Sequence, residues 1–393
     1  MTIMYRDKTV GVVVPAHDEE GFVGAVIDTM PAFVDRIYVV DDCSTDGTWA
    51  EIERHAARAN RPDARGTSEG THGDARADGG FGVDGSGAGD RPGVDGRSAD
   101  ERGASVASSG AVTSADLPDA ASTTGTIAAA RVVPIRHERN RGRGGAVKTG
   151  YRRALADGMD VVAVMDADSQ HPPDYLDRII DPVATGRADY AKGTRLRHRD
   201  RSAMSRWRFF GNSLLTFLTK VSTGYWKMTD PQNGYTAISR DALERLSLNK
   251  LYDGYGFLND VLAALNAREM TIADVSHPAI YGDEQSEIRY GSFVPNLSAI
   301  LLRNFLGRLS AKYLVRDFHP LVILYLVGAV GLGMGLLGSL VALWSLFGMG
   351  SAFVSGALSI LLAAVGGVAL AMGMAYDRRE NAGLEVDGDG EAS

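Results

Sequence analysis

The stretch VAVMDADSQHPPD, from Val162 to Asp174, determines how the fold of this chain is predicted. Its apolar start is typical of a short buried strand. Two carboxylates, those of Asp166 and Asp168, follow the strand directly, and an unpaired carboxylate inside a protein is costly. The stretch therefore predicts a buried strand whose end carries negative charge that needs a partner.

Strands and helices alternate on both sides of this stretch. Upstream, VGVVVP predicts a strand that ends at Pro15, GFVGAVIDTM has helical spacing, and RIYVVDD predicts a strand that ends at Asp41 and Asp42. ARVVPIRH, DVVAVMDADSQH and ADYAKGTRL predict three further strands, separated by helical segments. This alternation predicts an α/β fold, with a parallel sheet that carries helices on both faces.

Two of the predicted strands end in carboxylates, and we expect these ends to meet. Ligands of open α/β sheets bind outside the carboxyl ends of the strands. Paired carboxylates repel each other, and a divalent cation that also binds phosphate oxygens relieves that repulsion. The sequence therefore predicts a metal–diphosphate site with Mg²⁺ or Mn²⁺. A structural alternative is that Asp41 and Asp42 cap the next helix, and RGRGG alone is weak evidence for a phosphate loop.

Composition limits the possible functions and partners. The formal net charge of −8 and the pI of about 5.5 argue against a general nucleic-acid-binding protein. The single cysteine, Cys43, allows no internal disulfide and fits a reducing, cytoplasmic location. Residues 60–126 consist mainly of Gly, Asp, Ala, Ser and Arg, which predicts a disordered insertion.

The C-terminal part of the chain predicts a membrane anchor. No charged residue occurs from Pro320 to Tyr376, and a GMGS break divides this run into two apolar segments. Each segment is long enough for a membrane span of about 20 residues, so residues 319–376 are predicted to form two transmembrane helices. Basic residues flank both ends, which places the N-terminal domain on the cytoplasmic face of the cell membrane. MSRWRFFGNSLLTFLTKVSTGYW and SFVPNLSAILLRNFLGRLSAKYLV predict amphipathic helices in the membrane interface. For the first of these, a helix facing the core is the alternative.

Six segments together resemble a known family. VVVPAHDEE, VVDDCSTDGT, NRGRGGAVKTG, DADSQHPPD, KGTRL and DPQNGY occur in the order and character of the family 2 glycosyltransferases. Within that family the chain looks most like the dolichyl-phosphate hexosyltransferases, over about residues 10–290 without the insertion. The C-terminal portion is similar to archaeal members that place the first hexose on dolichyl phosphate for protein N-glycosylation of the S-layer.

The resemblance implies a division of the chain into four parts. Residues 1–290 would form a GT-A domain, the Rossmann-like fold of nucleotide-diphospho-sugar transferases. An amphipathic juxtamembrane helix over 291–318 and the two transmembrane helices of 319–376 would follow. Residues 377–393 would form an acidic cytoplasmic tail.

The resemblance also implies roles for individual residues. The nucleotide-sugar-binding residues would be Pro15, His17, Glu19, Val40, Asp42, Asp166, Ala167 and Arg195. The metal ligands would be Asp166, Asp168 and Gln170, and the catalytic residues Asp166, Asp168 and Arg195. The acceptor phosphate would be bound by Arg206, Arg208 and Arg289, and Asp260 and His171 would be positioning residues. A surface histidine is the alternative at His171.

The resemblance departs from the family pattern at two places. The family usually has tyrosine and asparagine where His17 and Asp18 stand, which leaves the selectivity for the base open. The usual R-x-x-G-x-S-K pattern after the last strand is absent, and Arg289 is the residue that could supply its cation.

These observations predict an inverting, metal-dependent hexosyltransferase. A lipid monophosphate is already anionic at neutral pH, so the acceptor needs no general base. The expected partners are a nucleotide sugar, dolichyl phosphate and the lipid bilayer, with UDP-glucose as the expected donor. The alternatives are GDP-mannose as donor, a family 2 polysaccharide synthase, and a membrane scaffold without catalytic activity.

Overall fold

One eight-stranded sheet organises the N-terminal domain. The computed structural model describes residues 5–61, 130–195, 206–254, 256–278, 290–316, 318–345 and 352–389. The strands are β1 (Val10–Ala16), β2 (Arg36–Asp41), β3 (Val132–Arg136), β4 (Val161–Val164), β5 (Tyr190–Thr194), β6 (Thr236–Ser239), β7 (Ile272–Ser276) and β8 (Glu385–Asp387). Their order across the sheet is β3-β2-β1-β4-β6-β5-β7-β8.

The sheet is mixed, although the sequence predicted a parallel one. Strand β6 lies between β4 and β5 and runs antiparallel to both, while the other neighbouring pairs are parallel. Its short sequence TAIS carried no pattern from which its direction could be read. The predicted α/β class is confirmed, and the carboxyl ends of β1, β2 and β4 meet at one edge.

Helices cover both faces of the sheet, which explains why the central strands β1 and β4 are apolar along their length. The helices of the domain are α1 (Val23–Asp28), α2 (Thr48–Ala59), α3 (Arg143–Ala156), α4 (Leu176–Ala184), α5 (Arg206–Thr223), α6 (Arg240–Arg245) and α7 (Phe257–Asn266). In β1, Val12 and Val14 pack in a core cluster with α1, α2 and α4. Val13 points the other way, into a cluster with α3, α6 and α7.

Three long helices form the C-terminal part of the described chain. Helix α8 (Tyr290–Ser310) continues as one turn of π-helix, Ala311–Arg316, and precedes α9 (Leu321–Ser345) and α10 (Ala352–Glu380). Within the described ranges, α9 and residues 354–380 of α10 are long and apolar enough to cross a membrane, each with a mean hydropathy of 2.2. The side chains along both helices are mostly exposed, as expected of a pair that is not a soluble core.

Helices α9 and α10 pack closely along small residues. A side chain at Gly335 would collide with the backbone of Ala363, and one at Gly366 would collide with the backbone of Leu332. Such close approach is typical of helix pairs in membranes. The predicted break between the two helices, GMGS, lies outside the described residues.

The C-terminal segment is not a separate tail. After α10, β8 pairs in parallel with β7, from Ile272 opposite Glu385 to Asp274 opposite Asp387. Residues 377–389, assigned to a tail from their acidic composition, therefore belong to the folded domain. The composition misled because two of the acids, Asp377 and Glu385, are buried with partners. The predicted insertion, apart from residues 60 and 61, lies outside the described residues.

Candidate active site

The ends of β1, β2 and β4 and the start of α3 enclose a cleft of about 350 Å³. It is lined by Pro15, Ala16, His17, Glu19, Asp42, Asn140, Gly142, Arg143, Ala146, Asp166, Ala167 and Asp168. The two acidic strand ends, predicted from the sequence to converge, therefore lie in one cleft. Seven of the predicted site residues are in this set: Pro15, His17, Glu19, Asp42, Asp166, Ala167 and Asp168.

Asp42 is buried and held by three contacts from two groups. His137 Nδ1 lies 2.6 Å from Asp42 Oδ1, and the backbone N–H of Arg141 donates to both carboxylate oxygens at 2.9 and 3.1 Å. The other ring nitrogen of His137 contacts Thr149 Oγ1 at 2.9 Å. Asp42 therefore ties the end of β2 to the loop before α3 and presents a preorganised carboxylate at the cleft.

Asp41 has a structural role, although it stands next to Asp42. Its carboxylate accepts hydrogen bonds from the side chain and the backbone N–H of Ser44, and Arg136 Nε lies 3.2 Å from its other oxygen. Its side chain is fully buried and is absent from the cleft lining. The two adjacent aspartates thus divide their roles, because successive side chains at a strand end point to opposite faces.

Asp166 forms an ion pair with Arg143 across the cleft. Arg143 Nε donates to Asp166 Oδ1 at 2.8 Å, and its Nη2 lies 2.7 Å from the same oxygen. Burial opposes ionisation of Asp166, but the charge and hydrogen bond of Arg143, together with the effects of His171 and Arg195, outweigh burial and hold the pKa of Asp166 below its ordinary value. A side chain at Gly234 would collide with both members of the pair, which explains the glycine of DPQNGY.

Hydrogen bonds within the turn from Asp166 to His171 orient the carboxylate of Asp168. Asp168 Oδ1 accepts the backbone N–H of Gln170 at 2.9 Å, and the backbone N–H of Asp166 donates to His171 Nδ1 at 3.0 Å. Ser169 in between has a positive φ of 59°. The hydrogen bond from Asp166 fixes the tautomer of His171, with the proton on Nε2.

His171 lies beneath the turn and is not a surface residue. Its ring stacks on Tyr235 with a centroid distance of 4.8 Å, and it is 5% exposed. Burial lowers the pKa of His171 to about 4, so the imidazole is neutral at pH 7. The surface alternative at His171 is therefore wrong, while its positioning role stays a prediction.

Strained backbone occurs in the loops that form the cleft. Asp18 and Cys43, after β1 and β2, have φ of 55° and 64°, and Ser169 is the third such residue. Residues other than glycine rarely adopt this left-handed region, and strain of this kind clusters at functional sites. Asp18 is held there by hydrogen bonds, since its carboxylate accepts the Thr45 N–H at 2.7 Å.

Arg195, at the end of β5, lies beside the cleft but not in its lining. Its Nε donates to Asp230 Oδ2 at 3.3 Å, and the side chain is 31% exposed. Its positive charge contributes to the lowered pKa of Asp166, after burial and the effects of Arg143 and His171. Arg195 is thus near the predicted diphosphate position and is oriented by the acid of DPQNGY.

Other predicted site residues lie elsewhere. Val40 packs in the core beneath the cleft and is fully buried, because its side chain points away from the strand end. Gln170 does not line the cleft. The side chains of Arg206 and Arg208, and all of Arg289, lie outside the described residues.

Asp260 lies on α7, away from the cleft lining. Its Oδ2 accepts the Tyr252 backbone N–H at 2.7 Å and an Arg303 Nη2 bond at 3.0 Å. It therefore joins the loop before α7 to α8. Its positioning role stays a prediction.

The carboxylates in the cleft suit a metal that is also bound by its substrate. In the described part of the chain, no group of three or more His, Cys, Asp or Glu side chains is arranged to hold a metal ion. A Mg²⁺-type ion that carries phosphates needs only one or two carboxylates from the protein. Asp168, in the cleft lining, fits that requirement, with Asp166 beside it.

The sequence did not predict the contributions of Arg143, Asn140 and His137. Arg143 and Asn140 belong to NRGRGGAVKTG, where the glycines drew attention but the flanking polar residues received no role. Asn140 Nδ2 lies 3.1 Å from His17 Nε2, which connects this loop to β1. The cation of RGRGG next to an acidic strand end was the signal that could have identified Arg143.

The mixed α/β sheet, with acidic strand ends gathered in one cleft, is a GT-A-like fold. The family described as "Glycosyl transferase family 2" matches residues 11–73 and 120–247. The matched residues include both acidic strand ends of the cleft.

Two curated relatives share part of this domain. A UDP-N-acetylglucosamine–dolichyl-phosphate N-acetylglucosaminyltransferase of Methanococcus voltae is 33% identical over 152 residues, 38% of this chain and 60% of the relative. A dolichol-phosphate mannosyltransferase of Pyrococcus furiosus is 28% identical over 132 residues, 33% of this chain and 35% of the relative. The chain thus spans less than two thirds of either relative.

One solved structure has a low structural similarity to this chain. It is glucosyl-3-phosphoglycerate synthase from Mycobacterium tuberculosis, in complex with Mn²⁺, uridine diphosphate and glucosyl-3-phosphoglycerate. The similarity has a TM-score of 0.45 and 18% sequence identity, and covers 77% of this chain and 80% of that one.

Proposed function

We propose that this chain transfers a hexose from a nucleotide sugar to dolichyl phosphate, with inversion at the anomeric carbon. The observation that carries the proposal is the convergence of Asp42, Asp166 and Asp168 in one cleft of a family 2 domain. Two relatives named for transfer to dolichyl or dolichol phosphate support the choice of acceptor.

The donor would occupy the cleft between β1, β2 and β4. Asp42, held by His137 and the Arg141 N–H, is suited to accept hydrogen bonds from the nucleoside. Asp168 and Asp166 would hold Mg²⁺ or Mn²⁺ on the diphosphate, and such an ion neutralises the charge that develops on the departing nucleotide. Arg143 and Arg195 add positive charge at the same end of the cleft.

The acceptor requires orientation more than activation. Its phosphate is anionic at neutral pH, so the site must bring two anions together and hold them in line. A single displacement by the phosphate oxygen would invert an α-linked donor to a β-linked lipid product. Arginine is the residue that best binds phosphate, which supports the predicted acceptor roles of Arg206, Arg208 and Arg289.

A membrane location supports a lipid acceptor. Helices α9 and α10 are long and apolar enough to span a bilayer. Helix α5 exposes Leu214, Phe217 and Leu218, and α8 exposes Leu302 and Leu306, as expected of helices that lie in the interface. The multi-pass topology with the catalytic domain in the cytoplasm is part of this proposal.

The proposed donor is UDP-glucose, and the proposed pathway is the first step of lipid-linked glycan assembly for archaeal protein N-glycosylation. UDP-N-acetylglucosamine, named in one relative, and GDP-mannose are donors to be compared with it.

The test uses membranes that contain the full chain, dolichyl phosphate, Mg²⁺ and one labelled donor at a time. We expect labelled, acid-labile lipid from one donor, its loss on metal chelation, and a decrease of about 100-fold or more in Asp168→Asn. The matched control is Asp174→Asn, an exposed acid in the next helical turn, which should retain activity. If no donor gives a lipid product, the proposed function is wrong, and a polymer acceptor or the absence of catalysis becomes the next hypothesis.

A further inference from the structure

The carboxylate of Glu385 holds a loop that leads into the candidate site. Its Oε1 accepts the backbone N–H groups of Lys227 and Met228 at 2.7 and 2.9 Å, and its Oε2 accepts that of Trp226 at 2.9 Å. Glu385 is 9% exposed. One side chain from the C-terminal strand β8 therefore fixes three consecutive peptide groups between α5 and β6.

The same loop is held at a second point by the end of α10. Trp226 Nε1 donates to Asp377 Oδ2 at 3.3 Å. Asp377 in turn forms a fully buried pair with Arg308 of α8, with Nη1–Oδ1 and Nη2–Oδ2 distances of 2.8 and 2.9 Å. The loop is thus attached to β8 through Glu385 and to α10 through Asp377.

A continuous set of contacts leads from this loop to Arg195. Thr229 follows Met228 directly, and its N–H and hydroxyl both donate to Asp274 Oδ2 at 2.8 Å. Thr229 Oγ1 also contacts Thr194 Oγ1 at 2.8 Å. The next residue, Asp230, accepts from Arg195 Nε at 3.3 Å. Displacement of residues 226–228 would therefore move the carboxylate that orients Arg195.

We propose that Glu385 is a positioning residue for Arg195, which acts by fixing residues 226–228 and, through them, Asp230. Strand β8, which follows α10, would then help to hold the proposed donor site in its geometry. This inference rests on the proposed function only for its kinetic readout.

The chemistry of the three hydrogen bonds defines a suitable variant. In Glu385→Gln the amide oxygen can still accept two N–H bonds, but the amide NH₂ would face the Trp226 N–H, donor against donor. The change is nearly isosteric, so the fold should persist. The matched control is Glu380→Gln, the same substitution at an acid near the end of α10 that is 45% exposed and lies 3.9 Å from His319.

The first experiment is a double-mutant cycle on kcat/KM for the nucleotide sugar. We expect Glu385→Gln to lower kcat/KM about 10-fold with an unchanged thermal midpoint, and Glu380→Gln to leave it unchanged. Because Glu385 acts through Arg195, the double variant with Arg195→Gln should be within about 2-fold of Arg195→Gln alone. Multiplicative losses, or a Glu385→Gln variant equal to the control, would overturn the proposal.

The second experiment needs no catalytic activity. Hydrogen exchange of the amides at 226–228 and at 193–195 should accelerate together in Glu385→Gln and in neither segment in Glu380→Gln. Faster exchange confined to 226–228 would show that Glu385 does not position Arg195. If the wild-type chain made no lipid product, the proposed function would fail while this readout still decided the role of Glu385.

Discussion

Arg143 lies with its guanidinium group against the carboxylate of Asp166, and this pair determines the charge at the centre of the cleft. The arginine enters from the first turn of α3 and the aspartate from the end of β4. Without the pair, the partly exposed side chains of Arg143 and Asp166 would each be solvated separately. Their pairing keeps Asp166 ionised and fixes its direction before any ligand binds.

Loss of this pair should impair catalysis. We expect Arg143→Gln to lower kcat/KM about 10- to 100-fold, because a hydrogen bond to a charged group is worth about 1.5–3 kcal/mol. The measurement is the rate of lipid product formation under the conditions of the donor test. Arg139→Gln, an exposed arginine of the same loop, is the control and should be nearly neutral. If both variants had the same activity, Arg143 would have no role in catalysis.

At the residue scale, the sequence predicted the acidic residues of the cleft but not the basic residue that pairs with one of them. Asp42, Asp166 and Asp168 could be identified because each ends an apolar strand. Arg143 could not, since its pairing depends on where α3 starts relative to β4, which is a tertiary distance. Val40 was misassigned because a position next to a strand end does not reveal which face its side chain takes.

At the scale of elements, helices α9 and α10 pack against each other through small residues. Gly331 and Gly335 of α9 face Gly366 and Ala363 of α10 at backbone distance. In lipid the hydrophobic effect does not drive helices together, so close van der Waals contact takes that role. The larger apolar side chains point outward.

A bulky side chain at the contact should separate the two helices. We expect Gly335→Leu to lower the thermal midpoint of the protein in detergent by several degrees, since its side chain would overlap the backbone of Ala363 and Ser359. Gly333→Leu is the matched control, because a side chain there meets no atom within 4 Å. If both variants melt at the same temperature, the glycines do not determine the packing.

Strongly apolar elements were predictable, and short elements with polar side chains were not. The apolar runs of β1, β2 and β4 and the uncharged run of α9 and α10 give strong signals. β6, TAIS, and β8, EVD, are three or four residues long and contain polar or acidic side chains. Their strand conformation comes from pairing with neighbours already in the sheet, which a local pattern does not encode.

At the scale of the whole molecule, Arg308 and Asp377 join the hairpin to the domain that contains the sheet. Both side chains are fully buried, and Tyr313 and Asn381 add hydrogen bonds to Asp377 at 2.9 and 3.0 Å. Arg308 also donates to the backbone oxygens of Ser222 and Val221 in α5. Buried charges are tolerated here because all three guanidinium nitrogens and both carboxylate oxygens form hydrogen bonds.

Removing one member of this pair should be strongly destabilising. We expect Asp377→Asn to reduce the free energy of unfolding by about 3–5 kcal/mol, because Arg308 would remain buried without its counter-charge. The measurement is denaturant unfolding in detergent. Asp241→Asn, in an exposed pair with Arg245, should have little effect. Similar stabilities for the two variants would mean that the buried pair does not hold the molecule together.

The position of β8 at the end of the chain also determines when, during synthesis, the sheet can become complete. Ile272 and Glu385, which pair across β7 and β8, are separated by about 110 residues that include both apolar helices. A chain made from its N-terminus therefore produces both apolar helices before its last strand can join the sheet. If the hairpin inserts into a membrane as proposed, the edge strand β8 is added only after the segment that inserts has been made.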